Sequence, residues 1–456
     1  MRTFRSLFLI IILLTALRVQ TIAQVPDNYF IKSELQFDFR VLRARYEEHL
    51  ANLYLYSSKP VLDHVFDSLY ENIRPMTGME FYSYVTPLSS YVRDGHSNLF
   101  PAEATTERFN NESKFFPFDI YRTNNKMFVY QNLSDDTTII PGSEILFING
   151  MSADSVMNYL LARQVRDGNN DNYALWILNN YFREYFSYHF SHPDSFALRI
   201  RNDVGVIRDV IVNALGKKKI TANRISRNLQ SNKGNEFQFK VDSTTSTGVF
   251  TIRSWDTNGL NSEIEKVFQE LNSGKIEKLI LDLRDNQGGN FMPAIKLLSH
   301  LLDQPFQYFE EIKSLASHGD SGQVLKSEKG RMLNLNQPVK NPFRGKVCVL
   351  INGGSFSNTA SFCSRLQFYK RAIFLGQETG GNKIVFSGVF GLKGKTVLPN
   401  TKIVCDNANY RLTVTDFSKN TGHGVIPDYI IEPTVKDLIE GRDLVLPAAL
   451  DLLRKM

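Results

Sequence analysis

The pattern of apolar and polar residues changes twice along the 456-residue chain. Residues 28–100 carry apolar side chains, many of them aromatic, at the three- and four-residue spacing of an amphipathic helix. One such face consists of Leu35, Phe39, Leu42 and Tyr46. This spacing predicts a small bundle of helices, which we assign to a domain at residues 24–112.

From about residue 115 to residue 215 the pattern favours short strands. Three apolar segments have the length of strands, namely Phe115–Tyr121, Met127–Val129 and Ile145–Ile148. Residues 141–150 resemble the glycine loop and strand of PDZ-like domains, which bind an extended peptide by adding it to a sheet as a strand. We therefore expect a β-rich, PDZ-like domain at residues 113–216. The alternative is a β-rich spacer without an open groove.

After residue 235, strands alternate with amphipathic helices. Val249–Ile252 and Leu279–Leu283 are apolar strands, and each is followed by apolar residues at helical spacing. This alternation predicts an α/β domain at residues 236–456. Residues 217–235 contain six basic residues and no acidic ones, so we expect them to form a charged linker between the two domains.

The start of the chain has the features of a secretory signal peptide. Arg2 and Arg5 precede an apolar run, and the small residues around Ala23 provide a cleavage site, which places the signal at residues 1–23. The apolar run is too short for a convincing membrane span. We therefore expect an exported protein, periplasmic or extracellular, with no stable membrane anchor once the signal is removed.

Charge and cysteine content exclude several classes of protein. The formal net charge of +6 falls to +3 without the signal peptide, because that segment contains three arginines and no acid. So mild a charge gives no reason to expect nucleic-acid binding. The three cysteines have none of the spacings of a disulfide framework or a metal site. We expect no metal and no cofactor. The cysteines are Cys348, Cys363 and Cys405.

Two segments share the order strand, glycine pair, helix. Residues 278–290 end a strand at Gly288-Gly289, and residues 347–360 lead from a strand through a second glycine pair to a helix that begins at a serine. The start of a helix offers N–H groups without internal partners, a setting that stabilises the oxyanion formed when a serine attacks a carbonyl. On the residues alone, an ordinary helix N-cap and a tight turn remain the simpler explanations.

The order of the motifs resembles that of the C-terminal processing (tail-specific) serine proteases, in particular their tricorn-like and retinoid-binding-protein-like branch. The resemblance covers roughly residues 30–456. It implies a multidomain α+β fold with an N-terminal helical bundle, a PDZ-like β-rich domain and a C-terminal α/β core of the Clp/crotonase-like β-β-α spiral type. The motifs are Asp-Leu-Arg-x-Asn-x-Gly-Gly at 282–289, Ser-Phe-Ser-Asn-Thr at 355–359, Gly-Gln-Glu-Thr-Gly-Gly at 376–381 and Gly-His-Gly-Val-Ile-Pro-Asp at 422–428.

The resemblance also implies roles for individual residues. Ser357 occupies the position of the nucleophile, fourteen residues before Arg371. The oxyanion hole would consist of the backbone N–H groups of Gly289 and Asn358, with Gly288 shaping the turn.

The base departs from the best-known pattern of the family. Tail-specific proteases use the lysine of Gly-x-x-Thr-x-Gly-Lys, but Asn382 stands at that position, and Lys383 is one residue further on, where a strand would turn it to the opposite face. His96, in Asp-Gly-His, resembles the histidine of the tricorn-like branch. We therefore predict that His96 is the base and that activity falls as its ring protonates below about pH 6.5.

The residue that steadies His96 is left open. The branch carries a glutamate where this chain has Thr421. Asp94 can orient the imidazole or form an Asx-turn, and we favour the turn. His423 is a further candidate, although Gly-His-Gly is equally compatible with a tight turn.

Two functions are compatible with these features. The first is an exported serine peptidase that cleaves unfolded or tail-presented polypeptides through an acyl-enzyme on Ser357, with the PDZ-like domain holding the substrate C-terminus. The alternative is a catalytically weak or inactive homologue that binds a peptide or a lipophilic ligand.

Overall fold

The computed structural model describes residues 28–229, 236–273, 276–314, 332–388, 395–406 and 408–456. The expected signal peptide, residues 1–23, and the end of the expected linker, residues 230–235, lie outside these ranges. The described chain has a mixed α+β fold with several hydrophobic cores, as the sequence predicted. Within the described ranges, no helix has the length and apolar character needed to cross a membrane.

The N-terminal domain is helical. The apolar face predicted for its first helix is buried in the core of this domain. Its elements are β1 (Tyr29–Phe30), α1 (Lys32–His49), α2 (Lys59–Glu71), β2 (Met76–Thr77), α3 (Gly78–Val85), α4 (Ser89–Val92), β3 (Leu99–Phe100) and α5 (Glu103–Glu112).

This helical core also contains residues from the far end of the chain. Leu398 and Ile403 are buried in it, and β3 pairs with a strand of the C-terminal region, β20 (Val404–Asp406). The buried carboxylate of Asp38 on α1 accepts the N–H groups of Asn400 at 2.9 Å and Thr401 at 2.7 Å. The short segment that contains His96 lies between α4 and β3. The pairing of β3 with β20 therefore anchors one end of this segment to the C-terminal domain.

The middle domain is built on an antiparallel sheet with the order β10-β9-β7-β6-β5. The sequence predicted strands that correspond to β5, β6 and β7, but it did not predict the 18-residue helix α7 (Asn172–His189). Its apolar residues Leu178, Phe182 and Phe186 have helical spacing and are buried under the sheet. The elements are β4 (Lys114–Phe115), β5 (Phe118–Thr123), β6 (Lys126–Asn132), β7 (Glu144–Ile148), β8 (Met151–Ser152), α6 (Ala153–Leu161), α7 (Asn172–His189), β9 (Ser195–Arg201), β10 (Ile207–Asn213) and β11 (Leu215–Gly216).

The segment expected to be a charged linker is largely a helix, α8 (Lys217–Ser226). Ile220 is buried, and Asn223 Nδ2 donates to the Leu133 carbonyl at 2.8 Å. Arg224 pairs with Asp119 of β5 at 2.7 Å. The expectation of a linker was wrong for this part of the segment, because the basic residues form the exposed face of a helix that packs on its neighbours.

The C-terminal domain contains a sheet with the order β12-β13-β14-β16-β17-β22, in which all neighbours except β12 and β13 are parallel. The domain consists of β12 (Phe237–Asp242), β13 (Thr247–Ile252), α9 (Leu260–Leu271), β14 (Lys278–Asp282), α10 (Phe291–Leu301), β15 (Glu311–Ser314), β16 (Lys346–Ile351), α11 (Asn358–Phe368), β17 (Ile373–Gly376), β18 (Val385–Gly388), β19 (Lys395–Val397), β20, β21 (Tyr410–Thr413), β22 (Tyr429–Ile430), α12 (Val435–Ile439) and α13 (Val445–Lys455).

The position of the two glycine turns follows from this sheet. Helices α9, α10 and α11 share one core with the sheet, and α13 contributes to a second core that also contains residues of β14, β16 and β17. Strands β14 and β16 are parallel neighbours, so their carboxyl ends lie at the same edge of the sheet. The turn after β14 carries Gly288, and the turn after β16 carries Ser357.

Candidate active site

Ser357 lies in the turn between β16 and α11, immediately before the first residue of the helix. Its backbone has φ 53° and ψ −123°, a conformation that residues other than glycine rarely adopt. Such strain persists only where the surrounding structure holds it. The Ser355 hydroxyl accepts the Asn352 N–H at 3.1 Å and donates to the Leu283 carbonyl at 2.9 Å. The turn is therefore tied both to its own strand and to the end of β14.

The two glycine turns are in direct contact at Gly288. A Cβ atom on this residue would lie 2.8 Å from Ser357 Cβ and 3.0 Å from the Asn358 nitrogen, and its φ of +108° is itself unfavourable for other residues. The Gly288 N–H donates to Asn286 Oδ1 at 3.0 Å. Gly288 therefore allows the close approach of the turns, while its own N–H is already engaged.

Two other N–H groups beside Ser357 have no acceptor within the described parts of the chain. They belong to Gly289, in the first turn, and to Asn358, at the start of α11. The Asn358 side chain is held by Tyr308, whose hydroxyl donates to Asn358 Oδ1 at 2.5 Å. These two N–H groups are the oxyanion donors suggested by the sequence, and they have the chemistry required for that role.

His96 is brought to the serine by the segment between α4 and β3. Its Nε2 atom lies 2.9 Å from Ser357 Oγ. Asp94 forms an Asx-turn in this segment, because its Oδ1 accepts the His96 backbone N–H at 2.9 Å and the Ser97 hydroxyl at 3.2 Å. No hydrogen bond joins Asp94 to the imidazole, and the buried His96 Nδ1 has no partner among the described residues.

The surroundings of the imidazole are apolar. Phe356 stacks on the His96 ring at a centroid distance of 4.8 Å, and Phe386 lies 5.6 Å from it. Burial disfavours the charged ring and lowers the pKa of His96 to about 4. The ring is therefore neutral, and able to accept a proton, over a wider range of pH than the ordinary value near 6.5 suggested.

A buried carboxylate fixes the His96 segment against the C-terminal domain. Asp167, which lies between α6 and α7, accepts the Gly95 N–H at 2.8 Å and the Asn382 N–H at 3.1 Å. Burial, reinforced by the charge of Asp94, raises the pKa of Asp167 to about 7. The sequence analysis missed this residue, because nothing in its local sequence distinguishes it from other acids in loops.

The residues around the family's lysine position have structural roles. The Asn382 side-chain amide donates to the Tyr56 hydroxyl at 2.8 Å and to Asn420 Oδ1 at 3.0 Å. The backbone of Lys383 is bonded to His423 and Ser364. Its ammonium group forms no hydrogen bond or ion pair with any described residue. The basic group bonded to Ser357 is thus an imidazole.

His423 is not joined to His96. Its Nδ1 atom lies 3.2 Å from Glu378 Oε1, and 43% of its side chain is exposed. Glu378 also accepts the Gly424 N–H at 2.8 Å and the Asn172 side-chain amide at 3.1 Å. His423 therefore belongs to a separate polar cluster, and the structure does not support it as the group that steadies His96.

Helix α7 brings two aromatic residues to the site. Tyr173 is parallel to the Phe356 ring, with centroids 3.8 Å apart, and Trp176 stacks on Tyr173 at 5.9 Å. Trp176 Nε1 also donates to Asp285 Oδ1 at 2.8 Å. Four rings, those of Trp176, Tyr173, Phe356 and His96, thus form a row from the middle domain to Ser357. We call this row the aromatic stack. The sequence feature that could have indicated it is the spacing of Tyr173 and Trp176, which lie three residues apart on one helix.

The described residues contain no group of three or more histidine, cysteine, aspartate or glutamate side chains arranged to hold a metal ion. What they do contain is a serine hydroxyl, a neutral imidazole within hydrogen-bonding distance, and two available N–H groups at a helix start. Such a set is suited to nucleophilic attack on a carbonyl with stabilisation of the resulting oxyanion.

Part of the chain is similar in sequence to known proteases. A "Probable CtpA-like serine protease" of Staphylococcus epidermidis is 28% identical over 142 residues, which cover 30% of this chain and 26% of that protein. A "Tail-specific protease" of Haemophilus influenzae is 28% identical over 127 residues, which cover 28% of this chain and 16% of that protein. The chain thus matches about a quarter or less of the length of these relatives.

Solved structures share the fold over nearly the whole chain. Mature CPAF complexed with lactacystin has a TM-score of 0.60 at 16% identity, covering 93% of this chain and 98% of that one. A mutant of CPAF has a TM-score of 0.64 at 16% identity, covering 93% and 97%. Residues 246–436 match the model of peptidase family S41. This part of the chain is therefore similar to peptidase family S41, which agrees with the resemblance of its motifs to the C-terminal processing serine proteases.

Proposed function

We propose that this protein is an exported serine peptidase that cleaves unfolded or tail-presented polypeptides through an acyl-enzyme on Ser357. The observation that carries the proposal is the 2.9 Å distance between His96 Nε2 and Ser357 Oγ, next to the available N–H groups of Gly289 and Asn358. The similarity to peptidase family S41 and the likeness to serine proteases support the same conclusion.

The proposed reaction uses these groups in sequence. Ser357 Oγ attacks the scissile carbonyl carbon while His96 Nε2 takes the hydroxyl proton. The carbonyl oxygen, now negative, accepts hydrogen bonds from Gly289 and Asn358. His96 then gives its proton to the departing amine as the C–N bond breaks. A water molecule attacks the acyl-enzyme with His96 again as the base, which releases the acid and restores Ser357.

We also propose the finer division of the chain that the sequence suggested. Residues 24–112 are a helical domain, residues 113–216 a PDZ-like domain and residues 236–456 a Clp/crotonase-like catalytic core. The antiparallel middle sheet with α6 and the parallel sheet with flanking helices support the last two assignments. Residues 1–23 act as the export signal, which places the mature chain in the periplasm or outside the cell.

The direct test is to incubate the purified chain with an unfolded polypeptide and to identify new chain ends by mass spectrometry. We expect new ends with the natural chain and none with Ser357→Ala at equal concentration. Cleavage at the same bonds by Ser357→Ala would contradict the assignment of the nucleophile.

The pH dependence of the reaction should reflect the buried imidazole. His96 acts as a base only when neutral, and its pKa is lowered to about 4. We therefore expect kcat/KM to stay level from pH 7 down to about pH 5 and to fall by half near pH 4. Circular dichroism at each pH separates this loss from unfolding.

A fall in kcat/KM centred near pH 6.5 would contradict the pH profile expected for His96. Asp167, which bonds to the His96 segment, is a buried group that titrates near neutrality, since its pKa is raised to about 7. The control variant is Asp167→Asn, in which this group no longer titrates. We expect the position of the acid limb to be the same in this variant.

The aromatic stack should hold the imidazole in position. We expect Tyr173→Ala to lower kcat by about tenfold or more, since the Phe356 ring that packs on His96 loses its own support. Water that enters the gap should also raise the pKa of His96 towards the ordinary histidine value near 6.5, which shifts the acid limb of the pH profile to higher pH. Tyr173→Phe keeps the ring and should behave like the natural chain. Equal activity of Tyr173→Ala and Tyr173→Phe would contradict this role.

A further inference from the structure

The middle sheet ends at strand β5, which pairs with β6 alone among the described strands. A PDZ-like domain uses such a free edge, beside a helix, to bind the end of a peptide as an additional strand. In this protein α7 packs along β5 and against α6. The space beside the edge strand, where a substrate terminus would be expected, is therefore filled by the protein's own helix.

The contacts of α7 replace those of an added strand. Asn179 Oδ1 accepts the backbone N–H of Arg122 at 2.8 Å, and Asn179 Nδ2 donates to the Arg122 carbonyl at 3.4 Å. Arg183 Nε donates to the Phe116 carbonyl at 3.0 Å, and its guanidinium pairs with Asp119 at 2.6 Å. The outward N–H and C=O groups of Arg122, which a peptide would need, are thus already bonded.

Helix α7 is part of the core of the middle domain. Leu178, Phe182 and Phe186 are buried, and the rings of Phe182 and Phe186 each lie 5.7 Å from Phe116. A peptide that displaced the helix would expose these three large side chains to water. The occupied groove is therefore a fixed feature of the fold, because displacement carries a large hydrophobic cost.

The opposite edge of the sheet does not replace this groove. Strand β10 pairs with β9 alone among the described strands, and no helix of the described chain packs extensively against it. Ile211 on this strand is 75% exposed. A peptide C-terminus that paired with β10 would have no neighbouring helix to form a pocket for its last side chain. This edge therefore lacks the helix-lined pocket by which PDZ-like domains select a chain end.

We propose that the substrates of this protein are internal segments of unfolded polypeptides and that cleavage does not require a free C-terminus. This inference rests on the proposed peptidase function and specifies its substrate class. The middle domain then has a different task from tail recognition, because the same α7 that closes the groove carries Tyr173 and Trp176 to the active site.

The test uses one unstructured peptide in three forms: with a free C-terminal carboxylate, with a C-terminal amide, and fused to a folded domain. We expect the natural chain to cleave the same bonds in all three, with kcat/KM values within about threefold of each other. Ser357→Ala provides the blank. A loss of about tenfold or more for both the amidated and the fused forms would overturn the proposal.

A second measurement does not depend on catalysis. In the full-length Ser357→Ala chain, hydrogen exchange at the Arg122 amide should be slow without any peptide and should become faster when Asn179→Ala is added. Asn180→Ala changes an exposed neighbour on the same helix and is the matched control. An excess of the free-carboxylate peptide should leave the Arg122 amide unchanged.

Additional protection of the Arg122 amide by the free-carboxylate peptide, absent with the amidated one, would overturn the proposal of a closed groove. If the natural chain cleaves no polypeptide, the peptidase function fails, while hydrogen exchange still decides whether the groove is closed.

Discussion

Ser357→Ala is expected to lower kcat by roughly 10⁴-fold or more, because the attacking oxygen is removed while the fold is left intact. His96→Ala should cause a loss of similar size, since Nε2 is the proton acceptor at 2.9 Å. The double variant should be no worse than either single variant, because the two side chains act as one unit. Steady-state kinetics on an unstructured peptide measures all three.

The matched control for this prediction is Lys383→Met. Lysine is the base in related proteases, and Lys383 lies next to the position where that base occurs. In this chain the Lys383 ammonium group forms no hydrogen bond or ion pair with any described residue. We expect activity within about threefold of the natural chain. A loss as large as that of Ser357→Ala would show that the base is a lysine and would contradict the role of His96.

Gly288→Ala is expected to lower kcat/KM by about a hundredfold or more. The new Cβ atom would lie 2.8 Å from Ser357 Cβ and 3.0 Å from the Asn358 nitrogen, so the turns must separate and one oxyanion donor moves with them. Kinetics and thermal unfolding should be measured on the same preparation, because the left-handed backbone at φ +108° also penalises alanine.

Gly150→Ala separates the two effects of Gly288→Ala, which are the collision of the new Cβ atom with the active site and the cost of alanine at a positive φ. Gly150 also has a positive φ, +81°, but a Cβ atom there meets no other atom within 4 Å. This variant carries the backbone penalty of about 1–2 kcal/mol without any collision at the active site. It should lose stability and keep its activity. Equal kcat/KM values for the two variants would contradict the close contact between the glycine turns.

The sequence predicted the local elements better than their association. The alternation of apolar strands and amphipathic helices identified the C-terminal α/β domain, because both patterns are local. The linker prediction failed at α8, where basic residues cover a helix whose buried side is only Ile220 and Asn223. The contribution of Leu398 and Ile403 to the N-terminal core was not predictable, since it depends on a pairing between distant strands.

The same distinction applies to the site. Ser357, Gly289 and Asn358 could be proposed from the sequence because they lie in short motifs, and His96 because its turn resembles one in a known branch. Asp167 and Tyr173 were missed, because their roles come from contacts between domains. The pKa of His96 was also misjudged, since it depends on burial by Phe356 and Phe386, which the neighbouring sequence does not show.

Covalent labelling tests whether His96 makes the Ser357 hydroxyl a nucleophile. The chain is treated with a fluorophosphonate near pH 7, and the modified peptide is identified by mass spectrometry. We expect a single adduct on Ser357 in the natural chain and almost none in His96→Ala. No adduct, an adduct on another serine, or equal labelling of Ser357 in His96→Ala would contradict the proposed roles of Ser357 and His96.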